Sequence, residues 1–487
     1  MYLYIYRYMY AQTELFGKIQ TRGAPLQTAA QRLANAALNE IQDLFQATFP
    51  PPRFSPSDAG PNSRDRVYSL PVTFWTFLWQ GLNPGTSCRE AVRKVQAWFV
   101  RLGKPPVRPD DTPYCQARKR LPQDWLERLL HDSARTAEQR AGTQGYLHGR
   151  EVWVVDGTTV QMPDTRANQR QYPQLSSQRP GCGFPLLKLV GLFSLSSGAL
   201  REWASGNKHR HELSLFRRLW HHIKANAIVV MDRGFSDFVT LAGFQRRGVD
   251  VVVRHQQARR KDFRQGQRLG KNERLVALQK PLTQTLTVSQ RLWRALPETL
   301  PLRLIRVRVN IKGFRTPELI LATTLLDPLA YPAVEVAGLY LRRWRVELFF
   351  RDIKTTMKME MLRCKTPVMI QKEIVMHLIA YNLIRCLMAE TATTYAMPLE
   401  RISFKGTLDT LRQFSPLIAS ATSRKKRAIL LHAMLRTLVE DPLPYRPNRA
   451  EPRAVKRRPK PYTLLNQPRH QMKVVPHRSR YRKNKAA

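Results

Sequence analysis

The sequence predicts an α/β protein built on a mixed sheet, with helical segments before and after it. Three observations predict this class. Between residues 151 and 255, short apolar runs alternate with amphipathic stretches. Two of those runs end in an aspartate with a glycine one or two residues later, as buried strands do when they pass into loops. The stretch 256–331 then carries further strand-like runs separated by Pro and Gly, before helical periodicity returns.

The elements follow in order. Residues 12–50 read as helical, with Leu33, Ala36, Ala37, Ile41 and Leu44 recurring at three and four, until Pro50-Pro51-Pro52 stops the pattern. A second helical group occupies about 70–141, around the basic stretch Thr112–Leu121. Residues 1–145 are therefore expected to be a helical region that contacts DNA, or equally one that packs or dimerises. EVWVVDG, ending near Asp156, is the first strand. PLLKLVGLFSLSSGALREWASG reads as two strands joined by a turn at Ser196–Gly198. HELSLFRRLWHHIK is an amphipathic helix with Leu213, Phe216, Leu219, Trp220 and Ile223 on one side. AIVVMDRG is a buried strand ending in Asp232, SDFVTLAGFQRRG a helix and VDVVVRH a strand. TQTLTVSQRLW, LRLIRVRVNIKG and ELILATTL are candidate strands of a β-rich insertion over 256–331, and helices return over 332–440. The catalytic core is expected over 146–255 and 332–440. Residues 441–487 form a basic, disordered tail: from 446 onward there are 14 Lys or Arg and one Glu.

Charge narrows the partner. Lys and Arg number 81 against 36 Asp and Glu, a formal net charge of +45. Such a chain is expected to bind nucleic acid through phosphates; a merely basic, ribosome-like surface is the alternative. The five cysteines include no C-x-x-C pair, so neither a disulfide framework nor a zinc site is expected, and a reducing compartment fits. His209, His211, His221 and His222 have no cysteine at zinc-finger spacing. No apolar run reaches the ~18–20 residues of a membrane span. The opening MYLYIYRYMY is too short and too tyrosine-rich for a signal peptide, so a cytoplasmic protein is expected.

Chemistry enters with the carboxylates. Asp156 and Asp232 sit at the ends of apolar strands, where sites in α/β sheets collect. Tyr340, Arg343, Glu347 and Lys354 lie at offsets 0, 3, 7 and 14, which at about 100° per residue fall within roughly 60° on one helix. One stripe would thus carry an acid, two cations and a phenol, with Leu348, Phe349 and Ile353 turned to the core. A solvated charged face is the alternative. Two-metal phosphodiester chemistry needs such carboxylates, and hard oxygen ligands suit Mg²⁺ or Mn²⁺.

Three segments carry a specific resemblance: VVDGTTVQMPDT, IVVMDRGFSD and YLRRWRVELFFRDIK. The last fits Y-x2-R-x3-E-x6-K at Tyr340, Arg343, Glu347 and Lys354. The chain resembles the DDE transposases of bacterial insertion sequences, in the IS-four family, over about 110–440, and RAEPRAVKRRPKPY is similar to a family ending. The resemblance implies an RNase H-like core whose Asp156, Asp232 and Glu347 are catalytic and bind two Mg²⁺, with Mn²⁺ as a substitute. It implies that Tyr340, Arg343 and Lys354 hold transposon-end DNA, with Arg233 a further candidate. It also implies cut-and-paste through a DNA hairpin by a homodimer acting on double-stranded transposon ends and target DNA. One departure touches the hairpin step: Leu319 stands where some relatives carry a base-stacking Trp, and Trp293 is the one tryptophan between Asp232 and the signature. A metal-dependent nuclease on the same core and a non-catalytic DNA-binding regulator are the alternative functions.

Overall fold

The computed structural model describes residues 45, 48–49, 51–54, 67–104, 107–255, 263, 265–284, 288–308, 318–421, 423–444 and 467–472. All belong to one compact unit, Leu38–Ala487. The helix expected over 12–50 and most of the basic tail lie outside the described residues. Within the tail, Pro468 is buried and a short turn spans Arg469–Gln471. A Cβ built on Gly181 would come within 2.9 Å of Pro468, so this proline is seated on the body of the protein rather than on a free arm.

The first elements are helices α1 (Leu70–Leu82), α2 (Cys88–Arg101), α3 (Thr112–Arg120) and α4 (Gln123–Ala141). Ser87 starts α2 by accepting the Glu90 N–H. There follow β1 (Val152–Gln161), a short α5 (Arg166–Gln171), β2 (Leu186–Ser194), β3 (Leu200–Gly206) and α6 (Glu212–Arg217). Next come β4 (Ile228–Met231), α7 (Phe238–Gln245) and β5 (Asp250–Arg254). The helix expected over 211–224 is shorter than its periodicity suggested: it gives way to a 3-10 turn at Trp220–His222.

The sheet order is β3-β2-β1-β4-β5, with β1 antiparallel to β2 and parallel to β4. This is the RNase H-like arrangement. The segment 256–331 does not stand apart from it. Strands β6 (Gln267–Gly270), β7 (Glu273–Gln279), β8 (Thr299–Arg308) and β9 (Glu318–Thr323) continue the same sheet, β9 pairing antiparallel with β5. Part of the strand expected over 283–293 is instead helix α8 (Gln290–Arg294), because Ser289 accepts the Leu292 N–H and caps it.

Alternation puts the two faces of the sheet to different uses. One face presents Trp153, Val155, Val229, Met231, Val251 and Val253 to α6 and α7, forming one core. The other is covered by helices that follow the sheet: α9 (Ala333–Arg342), α10 (Arg345–Arg351) and α11 (Pro367–Thr394), with α12 (Phe404–Ser420) and α13 (Arg424–Glu440) packed on α11. α11 is the one described helix long and apolar enough to cross a membrane, and 89% of its most apolar window is buried inside the protein. Its Asn382 shows how tightly it is keyed: Oδ1 accepts the Leu200 N–H at 2.8 Å and Nδ2 donates to the Leu200 carbonyl at 2.9 Å. One amide thereby pairs the backbone of edge strand β3, which would otherwise template another chain.

Candidate active site

Parallel pairing sets the first two carboxylates side by side. Val152, Trp153 and Val154 stand level with Ile228, Val229 and Val230. Beyond the last pair, Asp156 lies within β1 and Asp232 just past the end of β4, close enough for the Asp232 charge to act on Asp156. Both take the face opposite Trp153, Val155, Val229 and Met231. β4 stops at Met231 and the chain leaves through a 3-10 turn at Arg233–Phe235, while β1 runs on beside β2 to Gln161. The sheet therefore opens where the two aspartates sit, the kind of crevice in which α/β sheets bind ligands.

α10 brings the third. Its inner side buries Val346, Phe349 and Phe350, and both rings pack on Phe193 of β2, at centroid distances of 5.5 and 5.1 Å. Glu347 is left half-exposed above the aspartates. Burial pushes the Asp156 carboxyl up to about 6; the Gly157 N–H and Arg343 oppose this, and the charges of Asp232 and Glu347 add to it. Asp156 thus feels both other acids and one cation. Arg343 is buried, with Nη2 3.4 Å from Glu347 Oε1 and its guanidinium 5.0 Å from the Trp344 ring. Tyr340 is also buried; burial raises its hydroxyl, Arg343 lowers it and the Asp232 charge raises it further.

The single helical stripe expected from 340 to 354 does not form. α9 ends at Arg342, the chain turns at Arg343–Trp344, and α10 runs into a π turn at Asp352–Thr356. A π turn departs from the 3.6-residue repeat, so the helical wheel fails beyond Arg351. Tyr340, Arg343 and Glu347 still converge with the aspartates. Lys354 points elsewhere: Nζ is 4.0 Å from Glu360 Oε1 and lines a cavity of about 1010 Å³ whose lining includes none of the three carboxylates. Leu348, expected in the core, is exposed because the break rotates it outward; Phe349 and Ile353 are buried. Arg233 is exposed beside Asp232. Leu319 is buried in β9 opposite Val307. Trp293 packs on the core beneath Lys280, whose Nζ is 5.2 Å from its ring.

Three residues escaped the sequence reading. The Gly157 N–H donates to Asp156 Oδ1 at 2.8 Å. A Cβ on Gly157 would lie 2.8–3.0 Å from the Glu212 carboxylate, so the glycine makes room for that acid. Arg254, at the end of β5, acts electrostatically on Tyr340. The glycine after Asp156 was the visible signal; Glu212 and Arg254 had none. Gly157→Ala is expected to cost less than about 1 kcal/mol through this overlap, because the Glu212 carboxylate is the end of a flexible side chain that can swing away. Urea unfolding should show the loss, and adding Glu212→Ala should recover most of it; equal losses in single and double variants would refute the overlap.

Residues 147–383 match the family described as "Transposase DDE domain". The chain is 27% identical over 410 residues to "Transposase InsG for insertion sequence element IS4" of Escherichia coli (strain K12), covering 82% of this chain and 88% of that protein. A cryo-EM structure of the piggyBac transposase synaptic complex with hairpin DNA aligns over 84% of this chain and 87% of that one, at 9% identity and a TM-score of 0.42. The matched span begins just before β1 and ends within α11, so it includes all three carboxylates and the helices that carry the third. Residues 147–383 thus match a transposase DDE domain, and the chain is similar over most of its length to the transposase of an insertion-sequence element, which supports a DNA transposase whose chemistry depends on divalent metal.

Proposed function

We propose that Asp156, Asp232 and Glu347 together hold two Mg²⁺ ions, with Mn²⁺ as a substitute, and act on the terminal inverted repeats of the element. The observation that carries this reading is the placement of Asp156, its carboxyl raised chiefly by burial, close enough to Asp232 and Glu347 for both charges to act on it. Converging carboxylates repel one another, and a hard divalent cation is the partner that relieves them. Bound there, such ions would activate the attacking oxygen and stabilise the leaving one.

The chain's own residues do the positioning. Arg343 aims Glu347, and its Nε is buried without a protein acceptor among the described residues, a donor suited to a DNA phosphate. Tyr340 braces Arg343 from beneath. Arg233, exposed beside Asp232, and Lys354, in the cavity away from the acids, hold the transposon-end backbone, and a homodimer brings two ends together. The helical region before residue 146 and the basic tail bind further phosphates. Removing 446–487 should then flatten the salt dependence of DNA binding, by about 0.9 in log–log slope for each phosphate that the tail neutralises. An unchanged slope would take the tail out of the interface.

The test of the function is a labelled terminal repeat incubated with full-length protein and Mg²⁺, resolved on a gel that separates nick, hairpin and joined product. Nicking followed by joining is the expected result. Cutting without joining would indicate a nuclease, and binding without cutting a regulator.

A further inference from the structure

We propose that Cys88, Asp111 and Cys115 form a second metal site, for one thiophilic divalent cation such as Zn²⁺, separate from the carboxylate triad. One sulfur from each cysteine and one Asp111 carboxylate oxygen all lie within 4.8 Å of one another. In a tetrahedral zinc site, with bonds of about 2.3 Å to sulfur and about 2.0–2.2 Å to oxygen, ligand atoms are about 3.3–3.8 Å apart. The three therefore need to close by at most about 1.0–1.5 Å.

The fold explains the grouping. Cys88 is the first residue of α2. Asp111 is the N-cap of α3, and the Cys115 N–H donates to its carbonyl at 2.9 Å, so their side chains share one helix face. The Asp111 carboxylate makes no capping hydrogen bond of its own, which leaves it available as a ligand. C-x-x-C spacing is absent because the ligands come from two helices 27 positions apart.

The surroundings fit a metal thiolate. Arg118 donates from Nη1 to Cys88 Sγ and from Nη2 to Cys364 Sγ, each at 3.1 Å, and its guanidinium lies 4.0 Å from the Phe77 ring centroid. Such N–H donors orient metal-bound sulfur from outside the ligand shell. Two thiolates, one carboxylate and a divalent ion carry a net charge of −1, which suits a wall that also presents Lys119, Lys358 and Arg363. Soft sulfur ligands select against Mg²⁺, so the two sites do not compete for one ion. All three ligands line the cavity that Lys354 also lines, which gives an ion and a fourth ligand, water, a way in. The bound ion ties the start of α2 to the start of α3. Through Arg118 and Cys364, it also steadies the segment that follows the signature helix.

The experiment is anaerobic titration of reduced, chelator-stripped full-length protein with Co²⁺, followed by displacement with Zn²⁺. The parent is expected to develop a thiolate-to-cobalt charge-transfer band saturating at one equivalent and lost on adding Zn²⁺. Cys88→Ser and Cys115→Ser should lose the band, Asp111→Asn should weaken binding by about tenfold or more, and Asp156→Asn should keep it. A second readout uses the parent alone: Zn²⁺ should protect Cys88 and Cys115 from alkylation, mapped by mass spectrometry. No band in the parent, a band that survives both serine variants, or unprotected cysteines would each overturn the site.

Discussion

Glu347→Gln, Asp156→Asn and Asp232→Asn are each expected to bind transposon-end DNA about as well as the parent and to lose strand cutting. Each change keeps the volume and polarity of the side chain and removes one anionic ligand. The fold should survive, because α10 is fixed by Phe349 and Phe350 on Phe193 rather than by Glu347. Binding should survive because phosphates are held by basic side chains over a wide surface. A metal ion contributes several kcal/mol of transition-state stabilisation. Losing about 4 kcal/mol of it lowers the rate by about 10³ at 1.36 kcal/mol per decade. Cutting of a labelled terminal repeat measures this directly. Asp232→Cys offers a sharper version: inactive with Mg²⁺ and partly active with Mn²⁺, since the softer ion accepts sulfur. Variants that cut within about tenfold of the parent would show that these acids do not hold the metal.

Legibility differed between the parts of the site for physical reasons. Asp156 and Asp232 stood out as candidates because each follows a short apolar run rich in β-branched residues, and burial on both faces of a strand leaves that mark in sequence. Glu347 could be read from the spacing of Tyr340, Arg343 and Lys354. What the spacing could not contain was the turn at Arg343–Trp344 and the π turn at Asp352–Thr356, since both are tertiary responses to packing on the sheet. Lys354 and Leu348 were misplaced for that reason. Strands β6 and β7 were missed because β6 is a short, exposed edge strand and the apolar Leu275–Leu278 of β7 is brief, only half-buried and set among polar residues. The Gly157–Glu212 approach and the Cys88–Asp111–Cys115 cluster join residues far apart in the chain, and only the folded topology brings them together.

Asp156→Asn should also stabilise the metal-free protein at neutral pH, and the pH dependence tests the cost of burying the Asp156 carboxylate. In the fold the Asp156 carboxyl is raised from 3.8 to about 6, chiefly by burial. Between those values the folded chain keeps a proton that the unfolded chain releases. Stability therefore falls as pH rises from about 4 to about 6 and levels off above. A shift of about two units at 1.36 kcal/mol each bounds the cost near 3 kcal/mol, and partial solvent access brings the expected figure to about 1–3 kcal/mol. The amide has no charge to bury and still accepts the Gly157 N–H through its oxygen. Urea unfolding in chelator should show Asp156→Asn more stable than the parent at pH 7.5, with the difference gone by pH 4. Adding Mg²⁺ should reverse the order, because the ion binds the folded parent and not the unfolded chain. A variant less stable than the parent at pH 7.5, or a difference independent of pH, would mean that burying the Asp156 carboxylate does not strain the metal-free fold. The metal would then be bound without relieving that cost.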